Sequence, residues 1–125
     1  MTILIDPRSG RPIYEQIVGQ IRRQILSGAL EEGEALPSIR ARAKDLGISV
    51  ITTKRAYEEL EGAGLINTQP GRGSFVARGG KDGLRGERLR ELEDALRRVH
   101  SLAADCGLSR EALSALYTRM EEEER

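Results

Sequence analysis

The sequence predicts a mainly α-helical fold with a small β-hairpin wing, arranged as an N-terminal winged helix-turn-helix followed by a short two-helix C-terminal segment. Three observations predict it. Isoleucines recur every four residues near the start, a glycine and a serine separate two short helical segments in the middle, and a glycine-rich loop separates two apolar pairs after them. At 125 residues, we expect one small domain and an appendage, without a separate catalytic or ligand-binding domain.

The first helix is expected to run from Pro12 to about Gly28. Apolar side chains recur every four residues here and therefore fall on one face of a helix. They are Ile13, Ile17, Ile21 and Ile25. Proline is favoured in the first turn of a helix and glycine just after its end, so both boundaries carry a suitable residue. A polar turn ending at Pro37 should follow.

The second helix should be short, from Ile39 to Leu46, and Gly47 should end it. Helical spacing separates an apolar side of this segment from a basic side. The side chains expected to face inward are Ile39, Ala43 and Leu46, and those expected to point elsewhere are Arg40, Arg42 and Lys44. The basic side chains are therefore expected to lie outside the core.

A third helix should begin after an N-cap at Ser49 and run to about Ala63, with Ala56, Tyr57 and Leu60 buried. A glycine-ended helix followed by a serine-capped one is the geometry of a helix-turn-helix, whose second helix can enter the major groove of DNA. The residues expected to be exposed at its start are Val50, Ile51, Thr52, Lys54 and Arg55. An ordinary amphipathic helix with a solvated basic edge would have the same pattern.

The apolar pairs Leu65–Ile66 and Phe75–Val76 bracket the segment NTQPGRGS, which predicts two short strands joined by a glycine-rich loop. Such a loop lets the backbone approach a phosphate or the minor groove, with Arg72 at its tip as the charged group. A plain β-turn would have the same composition. The glycines match neither a phosphate-binding P-loop nor a dinucleotide fingerprint, because both require a particular glycine spacing that leads into a helix.

Composition argues against an enzyme. The chain has 20 basic and 20 acidic side chains, one histidine and one cysteine. We expect His100 and Cys106 to be ordinary helix or loop residues, with no metal, no cofactor and no nucleophile–base pair. A single cysteine permits no intrachain disulfide, and no apolar run reaches the length of a membrane span. The start of the chain lacks the features of a signal peptide, so we expect a cytoplasmic protein.

Residues 79–86 are rich in glycine and charge and are expected to form a linker. An amphipathic helix should then extend from about Leu84 to Ala104, and Ser109 should cap a final helix. The apolar stripe of the first of these helices comprises Leu89, Leu92, Leu96, Val99 and Ala103, and that of the second comprises Leu113, Leu116, Tyr117 and Met120.

Two short helices bury too little apolar surface to fold alone. We therefore expect residues 87–125 to form a homodimer with a second copy of the chain. The residues proposed for that contact are Leu89, Leu92, Leu96, Val99, Leu113, Leu116 and Tyr117. In the alternative arrangement, the two helices would fold back onto the rest of their own chain.

The segments LPSIR, KRAYEELEGAGLI and GRGSFV, at their spacings, resemble the GntR-type bacterial transcription regulators. The likeness covers about residues 10–78, and the opening PIYEQIVGQIRRQILSG looks most like the YtrA subgroup. That resemblance implies a winged helix-turn-helix DNA-binding domain over residues 1–78, a linker, and a small helical dimerization segment over residues 87–125. It also implies a sequence-specific regulator, most often a repressor, bound to an operator.

The resemblance also implies which residues meet DNA. The matching positions are Arg40, Ser49, Thr52, Lys54 and Gly71, with Arg72 and Gly73 beside it. Ser38 of the LPSIR segment and Arg55, which helical spacing leaves exposed, complete the predicted DNA-binding set. Many relatives carry arginine or asparagine directly after the cap of the third helix, where this chain has Val50 followed by Ile51. An apolar pair there suggests contact with a thymine methyl group, or a specificity unlike that of relatives.

Two functions remain open on the residues alone. A regulator would bind a palindromic operator with high specificity, whereas an architectural DNA-binding protein would share the fold but discriminate weakly between sequences. The sequence does not indicate the operator, the regulated genes, or the direction of regulation. Any small-molecule effector would have to bind between helices at the dimer interface.

Overall fold

The computed structural model describes residues 2–124. The chain divides into two compact units, and the boundary between them in the sequence lies between Gly86 and Glu87. Over the described residues the chain forms five helices and one two-stranded antiparallel sheet. Their bounds are α1 Ile13–Ser27, α2 Ile39–Leu46, α3 Val50–Gly62, β1 Ile66–Gln69, β2 Gly73–Val76, α4 Gly80–Asp105 and α5 Arg110–Glu123. The prediction of a mainly helical fold with a hairpin wing is confirmed.

Helix α1 supplies the centre of the first unit's core. Ile17, Ile21 and Ile25 are fully buried, as their spacing predicts, and the helix packs on α3. Gly28 ends α1 in the left-handed region, at φ 86°, where a residue without Cβ is favoured. The buried apolar residues that surround these isoleucines are Ile3, Leu30, Leu36, Ala56, Tyr57, Leu60, Leu65, Ile66, Val76 and Leu84.

An extended N-terminal arm, residues 2–6, runs antiparallel to α1, a feature that the sequence did not predict. Three glutamines spaced four apart on α1 bond the backbone of every second arm residue. Gln24 donates to the Thr2 carbonyl at 2.8 Å, Gln20 bonds both Leu4 N–H at 2.9 Å and C=O at 2.6 Å, and Gln16 accepts from Asp6 N–H at 2.8 Å. The spacings match because four helical residues rise about 6 Å and two extended residues about 6.6 Å.

Helix α2 has the predicted bounds but carries a buried arginine. The Arg42 side chain is only 4% exposed, so the expectation that it points away from the core is wrong. Its guanidinium bonds the hydroxyl of Tyr57 on α3, and that hydroxyl donates to the Pro37 carbonyl at 2.6 Å. An arginine can be buried where its charged end keeps a polar partner, as the Tyr57 hydroxyl provides here.

The hairpin is held to the rest of the first unit by a third extended segment. Strands β1 and β2 pair from Ile66–Val76 to Gln69–Gly73. On the other edge of β2, the Leu36 N–H donates to the Ser74 carbonyl at 2.9 Å and the Val76 N–H to the Glu34 carbonyl at 2.9 Å. The connection between α1 and α2 therefore fixes the position of the wing relative to the helices.

Most of the expected linker is helical. Helix α4 begins at Gly80, so seven of the eight residues 79–86 form its first turns, four residues ahead of the predicted start at Leu84. Leu84 is buried in the first unit's core. A Cβ added to Gly80 would lie 3.3 Å from Leu65 Cδ2, so this glycine permits close packing rather than flexibility. Glycine and charge in this stretch therefore do not signal a disordered connection.

The second unit consists of α4 beyond Gly86 together with α5. Ser109 caps α5 as predicted, its hydroxyl accepting from the Ala112 N–H at 3.1 Å. Ala103 is buried, whereas the large apolar residues of α4 remain exposed by 41–58% of their surface. These exposed residues are Leu89, Leu92, Leu96, Val99 and Leu102.

None of the helices within residues 2–124 has the length and apolar character of a membrane span.

Candidate nucleic-acid interface

Helix α3 turns one side to the core and presents the opposite side to solvent. Thr53, Ala56, Tyr57 and Leu60 are buried, in keeping with helical spacing. Ile51 lies on the other side and is 81% exposed, an unusual position for a large apolar side chain. Val50, Lys54 and Arg55 are also exposed and Thr52 is half-buried, so the exposed start predicted for this helix is present. This part of α3 is accessible to a duplex.

The serine and threonine that open α3 bond each other. The Ser49 hydroxyl accepts from the Thr52 backbone N–H at 3.0 Å and donates to Thr52 Oγ1 at 2.8 Å. Thr52 can still donate its own hydroxyl proton, because only its acceptor capacity is used by Ser49. Ser49 thus fixes the helix start, while Thr52 retains a donor for a base edge or a phosphate.

Two cations follow on the next turn of α3. Lys54 lies 3.8 Å from Glu58 in an exposed i,i+4 ion pair. Exposed ion pairs contribute little to stability, so a DNA phosphate could take the place of Glu58 at low cost. The guanidinium carbon of Arg55 lies over the ring of Tyr14 on α1, 3.8 Å from its centroid, and its Nη2 donates to the Tyr14 hydroxyl at 3.1 Å. Sequence reasoning named Arg55 but not Tyr14, because the two lie 41 positions apart.

The LPSIR segment places one exposed arginine beside α3. Ser38 caps α2, its hydroxyl accepting from the Ala41 N–H at 3.1 Å, and Arg40 is exposed. The Pro37 carbonyl before that cap accepts from the Tyr57 hydroxyl. Burial raises the pKa of Tyr57, while the hydrogen bond and positive charge of Arg42 act in the opposite direction. This buried group joins the two helices that carry the candidate contacts.

The wing tip is a tight turn between β1 and β2. Gly71 and Gly73 have φ values of 76° and 116°, which side-chain-bearing residues rarely adopt. A Cβ added at either would meet no atom within 4 Å, so the backbone conformation and not space requires glycine. Arg72 lies between them with an exposed side chain, and its N–H donates to the Gln69 carbonyl at 2.9 Å.

Metal-ligating side chains are not clustered in the described part of the chain. Residues 2–124 contain no group of three or more His, Cys, Asp or Glu side chains that could hold a metal ion. Cys106 is an exposed thiol.

Comparison with known proteins identifies the fold and its class of function. Residues 13–76 match the family model of the bacterial regulatory proteins of the gntR family. The chain is 36% identical over 111 residues to the HTH-type transcriptional repressor YtrA of Bacillus subtilis (strain 168), covering 89% of this chain and 85% of that protein.

Solved structures agree with this match. A transcriptional regulator from Oenococcus oeni is 27% identical, covers 96% of both chains and superposes with a TM-score of 0.73. The DNA-binding domain of AraR, solved in complex with operator ORX1, is 25% identical, covers 62% of this chain and 96% of that one, and gives a TM-score of 0.54. The relatives are transcription regulators rather than enzymes, and this chain belongs to the GntR family of DNA-binding transcription regulators, with a YtrA-like arrangement.

Proposed function

We propose that this protein is a cytoplasmic repressor that binds a palindromic operator as a homodimer. The observation that carries the DNA-binding part is the exposed start of α3, where an apolar side chain, a hydroxyl and two cations lie within two turns. A bound dimer would exclude RNA polymerase from an overlapping promoter. Support for repression comes from the Bacillus relative, which is itself named a repressor.

Each candidate group has a distinct expected part in DNA binding. Arg40, Lys54 and Arg72 are exposed cations suited to phosphate or guanine edges, while Ile51 and Thr52 are suited to base edges. The residues that act mainly by fixing backbone geometry are Ser38, Ser49, Gly71 and Gly73. The two serines belong to this group because their hydroxyls already bond the backbone of the helices that they begin.

Dimer formation is supported by the second unit, taken by itself. Helix α4 carries a stripe of exposed apolar side chains, and α5 adds Tyr117 and Met120, both exposed, while Leu113 and Leu116 are half-buried. An exposed apolar stripe along a helix is typical of an interaction surface. A second copy of the same segment would cover it with a matching stripe, as a two-fold interface requires.

Two copies related by a two-fold axis would present two copies of α3. Helix-turn-helix dimers read half-sites whose centres lie about 34–36 Å apart, which makes the operator a palindrome. Linking two weakly binding DNA-recognition units also raises the effective affinity for the operator by about 10²–10⁴-fold without any new contact. The proposed dimer therefore supplies both the symmetry and the affinity of the operator.

The experiment is selection of bound duplexes from a randomised library at near-physiological salt, together with light scattering of the free protein. We expect an enriched palindrome and a mass twice the 13.8 kDa of one chain. Retention without an enriched sequence would instead indicate an architectural DNA-binding protein. A mass of one chain would contradict the homodimer.

A further inference from the structure

We propose that Tyr14 is a positioning residue that holds the Arg55 guanidinium against the DNA backbone as a fixed phosphate contact. This rests on the proposed role of α3 as the recognition helix. It assigns to α1, which otherwise serves the core, a part in DNA binding. It also distinguishes Arg55 from the neighbouring Lys54, whose partner is an exposed acid on the same helix.

The guanidinium of Arg55 is restrained in two ways by one side chain. Its carbon lies 3.8 Å from the centroid of the Tyr14 ring, within the range of a cation–π contact, and its Nη2 donates to the ring's hydroxyl at 3.1 Å. An arginine has five N–H donors, so one bond to tyrosine leaves four for other acceptors. The ring contact and the hydrogen bond therefore restrict the orientation of the charge without consuming its capacity to bind phosphate.

The position of Arg55 on α3 favours contact with a duplex. It lies one helical turn after Ile51, so both occupy the side of the helix opposite the buried residues. Side chains on the flanks of a helix in the major groove reach the phosphates at the groove edges. Because an ordered arginine loses less side-chain entropy on binding than a mobile one, prior stacking should raise affinity.

One acidic group faces the pair. The Tyr14 hydroxyl lies 3.4 Å from Glu15 Oε1, to which it can donate while accepting from Arg55. Glu15, the Tyr14 hydroxyl and the Arg55 guanidinium therefore form a short chain of hydrogen bonds. The carboxylate orients the hydroxyl lone pair toward Arg55, and substitution of tyrosine would break both bonds.

The experiment measures operator affinity over a range of salt concentrations for wild type, Arg55→Gln, Tyr14→Leu and the double variant. The operator is the palindrome selected with the wild-type protein. Loss of one phosphate contact per protomer should reduce the slope of log K against log salt by about 0.9 per protomer for Arg55→Gln. Tyr14→Leu should weaken binding about two- to fivefold. The double variant should bind no more weakly than Arg55→Gln alone, because Tyr14 acts only through Arg55.

Two conservative variants separate positioning from folding. Tyr14→Phe keeps the ring face and should stay within about twofold of wild type, and Arg55→Lys keeps the charge and should retain the salt slope while losing affinity. A purely structural Tyr14 would lower the thermal midpoint in all backgrounds and add its full effect on DNA binding in the double variant. That additivity, or an unchanged salt slope in Arg55→Gln, would overturn the proposal.

The same data distinguish this failure from failure of the proposed function. If wild type binds the selected palindrome and Arg40→Ala weakens it, the recognition surface stands, and a silent Arg55→Gln rejects only the positioning role. If wild type selects no sequence, the operator-reading function itself is rejected. Circular dichroism of each variant confirms that the helices are retained.

Discussion

The two units of this chain differ in what their apolar side chains contact. In Met1–Gly86, large apolar residues from α1, α3, the wing and the N-terminal arm bury one another in a closed core. In Glu87–Arg125, the described residues include one buried apolar side chain, Ala103, and α5 has none. The first unit buries most of its large apolar side chains internally, whereas the second leaves most of its own exposed.

The two units show that one sequence pattern, an apolar repeat at helical spacing, can correspond to two different structural situations. Both α1 and the later part of α4 carry apolar residues at helical spacing. On α1 the repeat marks a face that packs within the unit, whereas on α4 it marks a face with too little of its own unit to cover it. The surrounding elements, and not the periodicity, decide whether a stripe belongs to a core or to an interface.

The largest expected effect comes from charging the exposed stripe. Leu96→Asp should convert the dimer to a monomer, because an aspartate at the centre of an apolar interface would lose its hydration. Operator affinity should then fall by about 10²-fold or more through lost avidity, while the first unit stays folded. Light scattering gives the mass and a gel-shift titration gives the affinity.

A matched control lies on the opposite side of the same helix. Ser101→Asp introduces the same charge at an exposed position off the stripe and should leave mass and affinity unchanged. If Leu96→Asp also remains a dimer with normal affinity, then the stripe is not the interface, and the contrast between the two units has another cause.

Removing an exposed cation of the first unit should have the next largest effect. Arg40→Ala and Arg72→Ala should each weaken operator binding by roughly 1–3 kcal/mol and leave the dimer mass unchanged. Arg97→Ala removes an equally exposed arginine from the second unit, paired with Asp94 at 2.8 Å, and serves as the control. Equal affinities for all three variants at fixed salt would show that Arg40 and Arg72 are merely solvated.

Truncating the buried polar group between α2 and α3 should affect stability rather than assembly. Tyr57→Phe removes the hydroxyl that bonds Pro37 and Arg42, and should lower the free energy of unfolding of the first unit by about 1–3 kcal/mol at neutral pH. Urea unfolding monitored by circular dichroism measures the loss. Tyr117→Phe, whose hydroxyl belongs to an exposed side chain, should change little.

The same variant has a pH signature. Burial raises the folded pKa of Tyr57 above the value of about 10 for an unfolded tyrosine. The stability that comes from keeping the phenol protonated is therefore present below about pH 10 and is lost as pH rises through the folded pKa. Wild type should lose stability in this alkaline range more steeply than Tyr57→Phe. Parallel pH profiles would show that the phenol is not the group responsible.

The smallest expected effect concerns the exposed isoleucine of α3. If Ile51 contacts a thymine methyl, then replacing the contacted thymine by uracil should weaken wild-type binding by about 0.8 kcal/mol, the value of one buried methylene-sized group. The same DNA change should have no effect on Ile51→Ala, because the contact is already lost. Scanning each thymine of the selected half-site by gel shift identifies the position, and a scan with no sensitive thymine would exclude this contact.

Local signals predicted the helix-turn-helix well. The bounds of α2 follow from a serine cap at Ser38 and a glycine at Gly47, and the start of α3 follows from the cap at Ser49. Each of these signals acts within one helical turn, so the sequence alone contains it. The wing strands could also be located, because apolar pairs flank a loop whose glycines require positive φ.

The missed features depend on contacts between distant positions. Burial of Arg42 requires the Tyr57 hydroxyl fifteen residues later, and a charge on a short helix is normally expected in solvent. The glutamines of α1 appear as solvated polar residues until the N-terminal arm lies against them. Helix α4 begins early because Leu84 and Gly80 pack inside the first unit, which outweighs the poor helix propensity of three glycines. Tyr14 and Arg55 likewise meet only through the packing of α1 on α3.

The most direct test of the division between a DNA-reading unit and a pairing unit is the mass of the protein–DNA complex on the selected site, measured by sedimentation on duplexes with one or two half-sites. If the first unit binds DNA and the second forms the dimer, two protomers should bind the palindrome, with an affinity at least about 100-fold above that for a single half-site. One protomer per duplex, with equal affinity for both DNAs, would contradict it.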